Sequence, residues 1–117
     1  MNKKPNIIKD KTYTFALDII KIYQQMINQN EFILSKQLVR SGTSIGANVE
    51  EATAAQSRKD FISKMSISSK EARETNYWLR LLRDSKLCGD IDFTHAIKDS
   101  EEIIAILTSI VKTTQKR

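Results

Sequence analysis

The sequence predicts an all-α protein, an antiparallel up-down four-helix bundle formed by residues 1–117 as a single domain. Three glycines and one proline in the whole chain leave few sites for tight turns, which argues against a fold of many strands. Four stretches carry apolar residues at alternating steps of three and four, and short polar connections separate them. Long helices joined by short connections pack antiparallel to their neighbours.

The predicted helices span about residues 9–28, 33–55, 57–87 and 92–114. The apolar stripe of the first is Tyr13, Ala16, Ile20, Tyr23 and Ile27, and the seam of the second is Leu34, Leu38, Ser41, Ile45, Asn48 and Ala52. The seam of the third is Phe61, Met65, Ser68, Ala72, Thr75, Leu79 and Leu82, and the stripe of the fourth is Phe93, Ala96, Ile103, Leu107 and Ile110. Ser57 and Asp60 form a capping-box-like start, Gly89 is a natural stop for the third helix, and Asp92 is a good N-cap for the fourth.

The net charge of +5 is unevenly distributed. Residues 1–11 hold four lysines and one aspartate, residues 112–117 hold three basic side chains, and residues 57–87 hold eight basic and four acidic ones. Residues 89–105 carry −4, from five acidic side chains and one lysine. The two tails and the third helix are therefore the basic surfaces, and such patches can attract polyanions.

The single cysteine, Cys88, excludes a disulfide within the chain and fits a reducing compartment. The N-terminal residues have no apolar segment of signal-peptide length. The densest apolar stretch, Ile103 to Val111, is too short to span a bilayer. We therefore expect a cytoplasmic protein that does not enter a membrane.

The segment RSGTSIGANVEEA, residues 40–52, places two glycines inside a predicted helix, where each costs roughly 0.5–1 kcal/mol relative to alanine. On a helical wheel Gly42 and Gly46 lie on one flank of the apolar sector. That position predicts close packing of a neighbouring helix, although glycines can also simply permit a bend.

The opposite flank of this helix is polar and predicts a half-buried network with the third helix. A tight hairpin turning near residues 56–58 pairs positions whose numbers sum to about 115. Glu51 then faces Lys64, and Arg40 comes within about one turn of Glu71, with complementary charges in both pairs. The predicted network is Arg40, Ser44, Asn48, Glu51, Lys64 and Glu71. Such pairs are weak evidence for stability, because desolvation offsets their attraction, and the better hypothesis is that they fix register or partner choice.

The third helix carries more apolar surface than one bundle core can use. Ile67, Trp78 and Leu81 cluster on a face away from the core seam. An exposed tryptophan beside two aliphatic side chains is typical of a contact surface, and self-association is its simplest use.

A second surface of the third helix is basic. Lys59, Lys70, Arg73 and Arg80 share one sector of the wheel with Tyr77. Basic side chains with an interleaved aromatic suit phosphates and an unstacked base, which makes these five residues the candidate nucleic-acid-binding site. The alternative is a solvated helix face that keeps the protein soluble.

The sequence offers little for catalysis. His95 is the only histidine, so a two-histidine metal site cannot form within one chain, and a thiol–imidazole pair with Cys88 lacks other support. The glycines form no phosphate loop, and Glu71 and Glu74 are interpreted as ion-pairing residues. We expect no enzymatic activity, no cofactor, no metal and no catalytic residue.

Three segments, LVRSGTSIGANVEEA, SRKDFISKMSIS and KEARETNYWLRLL, resemble the four-helix-bundle family called 23S rRNA intervening-sequence proteins. The centre of the resemblance is the set Arg40, Ser44, Ile45, Asn48, Glu51, Asp60, Phe61 and Lys64. Many relatives have Glu-Gly where this chain has Glu51-Ala52, and Gly-Ser where it has Lys70-Glu71. This chain is therefore similar to a second version of the family.

The resemblance implies a homopentameric ring of bundles. A related branch, the accessory variability determinant proteins of diversity-generating retroelements, binds a reverse transcriptase and its RNA or DNA. The leading hypothesis is thus a non-enzymatic homo-oligomeric helical module that binds structured RNA or DNA through basic surfaces. The alternative is a protein-interaction scaffold or accessory subunit, for example for a reverse transcriptase. A third possibility is a bundle whose charge has no ligand.

Overall fold

Four α-helices make up most of the chain in the computed structural model, which describes residues 4–116. They are α1 (Lys4–Asn28), α2 (Leu34–Thr53), α3 (Arg58–Ser85) and α4 (Thr94–Gln115). No strand occurs within residues 4–116, so the all-α class and the four helices are confirmed. Residues 1–3 and 117, which belong to the predicted basic tails, lie outside the described residues.

The first helix begins about five residues earlier than predicted and buries a different face. Its buried side chains are Ile8, Thr12, Phe15, Ile19, Ile22 and Met26. Tyr13 and Ile20, which the predicted stripe placed in the core, are 62% and 39% exposed. The predicted stripe is therefore wrong. The reason is that α1 is apolar on two faces, and periodicity alone cannot say which of them meets the other helices.

The two ends of α3 differ in how well local sequence predicts them. Ser57 caps the helix as its spacing predicts, because its hydroxyl accepts a 3.0 Å hydrogen bond from the Asp60 backbone N–H. The predicted C-terminal end, at residue 87 with Gly89 as the stop, is wrong. The helix stops at Ser85, and Lys86 takes the left-handed conformation with φ 58°. Gly89 has no positive φ and does not terminate α3.

Carboxylates satisfy the backbone at the start of α2 and α4. Glu31 accepts a 2.8 Å hydrogen bond from the Ser35 N–H at the first turn of α2. Asp92 accepts a 2.9 Å hydrogen bond from the Thr94 N–H, where α4 begins two residues later than predicted. These bonds satisfy donors that have no partner within the helix.

The helices pack around one continuous apolar core. Consecutive helices contact each other, and α1 also contacts α4. Large side chains from all four helices are fully buried in this core, among them Phe15, Leu38, Met65, Leu79, Ile103 and Leu107. The particle is elongated, 47 × 20 × 19 Å, so its long sides are helix faces that remain available for contact.

Candidate nucleic-acid interface

The predicted basic stripe lies on the outer side of α3. Lys59, Lys70, Arg73, Tyr77 and Arg80 are all exposed. Within residues 4–116, no acidic side chain pairs with any of these four cations. Other basic side chains do form ion pairs, as Lys9 does with Glu50 at 3.5 Å. The stripe therefore keeps its charge available to an outside partner.

At the C-terminal end of the stripe, aromatic and basic groups hold one another in place. The Arg80 guanidinium carbon is 5.9 Å from the centroid of the Tyr77 ring, and its Nε–H donates a 2.8 Å hydrogen bond to Asn76. Asn76 in turn donates a 2.9 Å hydrogen bond to the Ser100 hydroxyl on α4. The Tyr77 ring is 48% exposed and packs edge-on against Trp78, with centroids 5.4 Å apart.

A groove lined mainly by polar residues lies between α3 and α4 and extends the stripe toward the C-terminal helix. It has a volume of about 300 Å³ and is lined by Ser66, Ser69, Arg73, Thr108, Val111, Lys112 and Gln115. The lining contains two cations and three hydroxyls but no carboxylate. Hydroxyls next to cations, without an acid, form a set of donors that suits an anion.

The polar side chains of this groove have unused hydrogen-bonding capacity. Within the described part of the chain, none of them takes part in a hydrogen bond or an ion pair. By contrast, Thr12, Thr43 and Ser44 each donate to a carbonyl of their own helix one turn earlier. Sequence reasoning noted the charge of residues 112–117 but did not place Lys112 beside Arg73. No local signal joins these residues, because the packing of α4 on α3 brings them together.

The predicted polar network is only partly assembled. Arg40 Nη1 lies 3.4 Å from Glu71 Oε1, and Arg40 Nη2 forms a second ion pair with Glu74. Glu74 also accepts a 3.2 Å hydrogen bond from the Trp78 indole N–H. Glu71 is the most buried of the three charged groups, with 18% of its side chain exposed.

The other members of that network do not meet. Ser44 and Asn48 donate to carbonyls of their own helix, at 2.6 and 2.9 Å, rather than across to α3. No ion pair joins Glu51 to Lys64 in the described residues, and Glu51 is exposed. Lys64 is half-buried, but Glu51 lies in solvent, where an ion pair between flexible side chains gains little.

Buried hydroxyls also make polar contacts between α2 and α3. The Ser68 hydroxyl donates to the Ile45 carbonyl at 2.8 Å. The Thr75 hydroxyl lies 2.9 Å from the Ser41 hydroxyl, and both side chains are fully buried. The residue numbers of the two pairs sum to 113 and 116, close to the sum of about 115 predicted for the hairpin.

The two glycines of α2 lie against α1. A Cβ on Gly42 would stand 2.8 Å from Ile19 Cγ2, and one on Gly46 would stand 3.3 Å from the Thr12 carbonyl oxygen. A side chain at Gly42 would thus overlap Ile19.

The candidate oligomer contact on α3 is partly exposed. Ile67 and Leu81 are 40% and 38% exposed, whereas Trp78 is partly buried and packs against the core. A more exposed apolar surface lies on α1, where Tyr13 and Leu17 are 62% and 47% exposed. It borders a groove of about 570 Å³ between α1 and α2. Sequence analysis missed this surface because it assigned that face of α1 to the core.

Cys88 and His95, the two groups that could form a thiol–imidazole pair, lie in different environments. Cys88 is 1% exposed, and this burial raises the pKa of its thiol. His95 Nε2 is 3.1 Å from Asp99 Oδ2 on the next helical turn.

No helix in residues 4–116 is both long enough and apolar enough to cross a membrane.

Comparison with known proteins identifies the family to which the chain is similar. A family model described as 23S rRNA-intervening sequence protein matches residues 4–109. A crystal structure of a protein of unknown function, from the S23 ribosomal protein family of Bacteroides thetaiotaomicron, is 49% identical and superposes with a TM-score of 0.87. That match covers 93% of this chain and 98% of the other. The search of curated proteins found no match.

Proposed function

We propose that this chain, which belongs to the 23S rRNA-intervening sequence protein family, is a non-enzymatic homo-oligomeric module that binds structured RNA or DNA. The observation that carries the proposal is the continuous surface formed by the α3 stripe and the α3–α4 groove. Its cations form no ion pair with the other described residues, the three hydroxyls of the groove form no side-chain hydrogen bond among them, and no carboxylate lines the groove. A single cysteine, itself buried, supports action in the reducing cytoplasm.

The chemistry of the surface suits a nucleic-acid backbone. Arg73 and Lys112 supply charge to phosphate oxygens, while Ser66, Ser69 and Thr108 add neutral donors. Tyr77, half-exposed under the Arg80 guanidinium, offers a ring on which an unpaired base can stack. This combination favours a structured nucleic acid with both a backbone path and an unpaired base.

Assembly would multiply this surface. We propose an antiparallel up-down order of the helices, which the residue contacts between neighbouring helices support, and a homopentameric ring, which rests on the family resemblance. The exposed apolar side chains of α1 and of α3 provide surfaces for such contacts. Five copies at +5 each would carry about +25, enough for strong attraction to a polyanion.

The test is fluorescence anisotropy of nuclease-treated protein against structured and unstructured RNA and DNA, at about 50 and 200 mM salt. Replacement of Lys70, Arg73 and Arg80 together by glutamate should abolish binding without changing the helical spectrum or the oligomer mass. The matched control replaces three exposed lysines elsewhere, Lys21, Lys36 and Lys98, by glutamate as well, and so changes the net charge by the same amount. Equal losses in both variants would show that only net charge matters and would overturn the site.

The alternative function is a protein-interaction scaffold or an accessory subunit, for example for a reverse transcriptase. The exposed side chains of Ile67 and Leu81 on α3, together with the Tyr77–Trp78 aromatic pair, favour it. Neighbouring genes discriminate the two, because a reverse transcriptase and template repeat point to the scaffold. Binding that disappears by 200 mM salt for every nucleic acid would favour the scaffold or a bundle whose charge has no ligand.

A further inference from the structure

Three side chains from two helices converge at the contact between α1 and α4. Asp18 lies on α1, and His95 and Asp99 lie one turn apart at the start of α4. One ligand-capable atom from each lies within 4.8 Å of those from the other two. We propose that these residues bind a divalent transition-metal ion of the Zn²⁺ class, which clips the first helix to the last.

The spacing fits such an ion. Zinc binds imidazole nitrogen and carboxylate oxygen at about 2.0–2.2 Å in a tetrahedral arrangement, which puts neighbouring ligand atoms about 3.3–3.6 Å apart. His95 Nε2 and Asp99 Oδ2, which pair directly at 3.1 Å, would need to separate by only a few tenths of an ångström to reach this spacing. Small rotations of the Asp18 and His95 side chains would close the remaining distance, and His95, with 79% of its side chain exposed, is free to turn.

The local charge also favours a cation. Asp18 and Asp99 are both half-buried, and no lysine or arginine pairs with either of them within residues 4–116. Lys11, which lines a groove together with Asp99, is itself bound to Glu102 at 2.8 Å. Two close carboxylates repel each other unless a positive charge lies between them.

The ligand set indicates the class of metal and an open coordination sphere. One imidazole and two carboxylates suit Zn²⁺, Co²⁺ or Ni²⁺ better than Ca²⁺ or Mg²⁺, which prefer oxygen alone. A groove of about 270 Å³ lies beside Asp99, between Asp10 and Thr14, and leaves room for water as further ligands. No connecting segment joins α1 directly to α4, so a shared ion would add a link that the chain lacks.

The experiment is a titration of tag-free, EDTA-treated protein with zinc chloride, in a Cys88→Ala background that removes the only thiol. Because His95 is the only histidine, its imidazole gives one resolvable pair of ring-proton signals by NMR. We expect these signals to shift and saturate at one zinc per chain, and the melting temperature to rise with zinc. His95→Gln should abolish binding.

The decisive variant is Asp18→Asn, because Asp18 lies on the other helix. Loss of a ligand should weaken zinc binding about tenfold or more, since even an outer-shell change costs about 10–100-fold. The control is Glu101→Gln, an exposed carboxylate on α4 outside the cluster, which should bind zinc as the parent does. Unchanged affinity in Asp18→Asn, or no saturable shift of His95 in the parent, would overturn the interhelix site.

Discussion

Gly42 of α2 and Ile19 of α1 are packed so closely that a Cβ on the glycine would stand 2.8 Å from Ile19 Cγ2. The Cγ1 and Cβ atoms of the same isoleucine lie 3.0 and 3.2 Å from that point. The whole branch of a fully buried side chain therefore fills the space that an alanine would need. The glycine is explained by packing, which outweighs its poor helix propensity.

Gly42→Ala should lower the free energy of unfolding by about 1–3 kcal/mol, although alanine gains about 1 kcal/mol in helix propensity. Urea denaturation measures the change. In the same helix, Ala47→Gly at an exposed position should cost only the propensity difference. In an Ile19→Ala background, which opens the contact, Gly42→Ala should lower the free energy of unfolding by less than it does in the parent. A Gly42→Ala protein more stable than the parent would contradict the packing argument.

Removal of the buried Thr75 hydroxyl should be costly because it leaves Ser41 without its 2.9 Å partner across the α2–α3 contact. Thr75→Val, which keeps the shape, should lower the unfolding free energy by about 1–3 kcal/mol. Thr75→Ser is the control, since it keeps the hydroxyl. Combining Thr75→Val with Ser41→Ala should cost less than the sum of the single changes, because both polar groups then disappear. Strict additivity would argue against a direct bond.

Lys86 is a suitable site for stabilisation. It takes a left-handed conformation, φ 58°, after the last residue of α3, and its Cβ makes that conformation unfavourable. Lys86→Gly should raise the unfolding free energy by about 0.5–1 kcal/mol in thermal or urea denaturation. Lys86→Ala removes the charge but keeps the Cβ, so it should give no such gain. Equal effects of the two variants would assign the change to charge instead.

The ion pair between α1 and α4 predicts a specific acid sensitivity. The hydrogen bond and charge of Lys11 hold the pKa of Glu102 below its ordinary value. A carboxylate whose folded pKa is lowered contributes stability above its unfolded pKa, about 4.3, and loses that contribution as pH falls through the lower folded value. Glu102→Gln should therefore flatten the acid side of the stability profile.

Lys11→Gln should flatten the same part of the curve, because the lysine causes the shift. The measurement is the free energy of unfolding in urea at a series of pH values from 7 to 3. The difference between the parent and either variant should vanish below the folded pKa, where the carboxylate is protonated in both states. If the free energy of unfolding fell with acid in both variants as it does in the parent, the Lys11–Glu102 pair would not be the cause of the acid sensitivity.

The α3–α4 groove predicts two distinguishable kinds of binding defect. Arg73→Gln and Lys112→Gln should each weaken nucleic-acid binding and reduce its salt dependence by roughly one phosphate contact. Thr108→Ala should lower affinity without changing the salt slope, because a hydroxyl displaces no counterion. Lys21→Gln, on the exposed surface of α1, is the matched control for lost charge. A common reduction in slope for all three charge variants would indicate diffuse attraction rather than a groove.

Local patterns determined the number, order and approximate bounds of the helices. The three- and four-residue steps between Met65, Ser68 and Ala72 report directly on a helix face, because they depend only on backbone geometry. The same is true of Ser57, whose cap bond spans three residues. Local sequence failed at the end of α3, where the helix stops at Ser85 and the left-handed turn falls on a lysine rather than on a glycine.

What the sequence determined by itself is thus what neighbours along the chain decide: the helices, their spacing, and the charge and close packing possible on each face. Tertiary structure decided which of the two apolar faces of α1 is buried, since only contact with α2 and α4 distinguishes Ile19 from Ile20. It also decided that Lys112 lies beside Arg73 and that Asp18 meets His95. Residues so far apart in the chain share no local pattern, and only the burial of one common core brings them within reach.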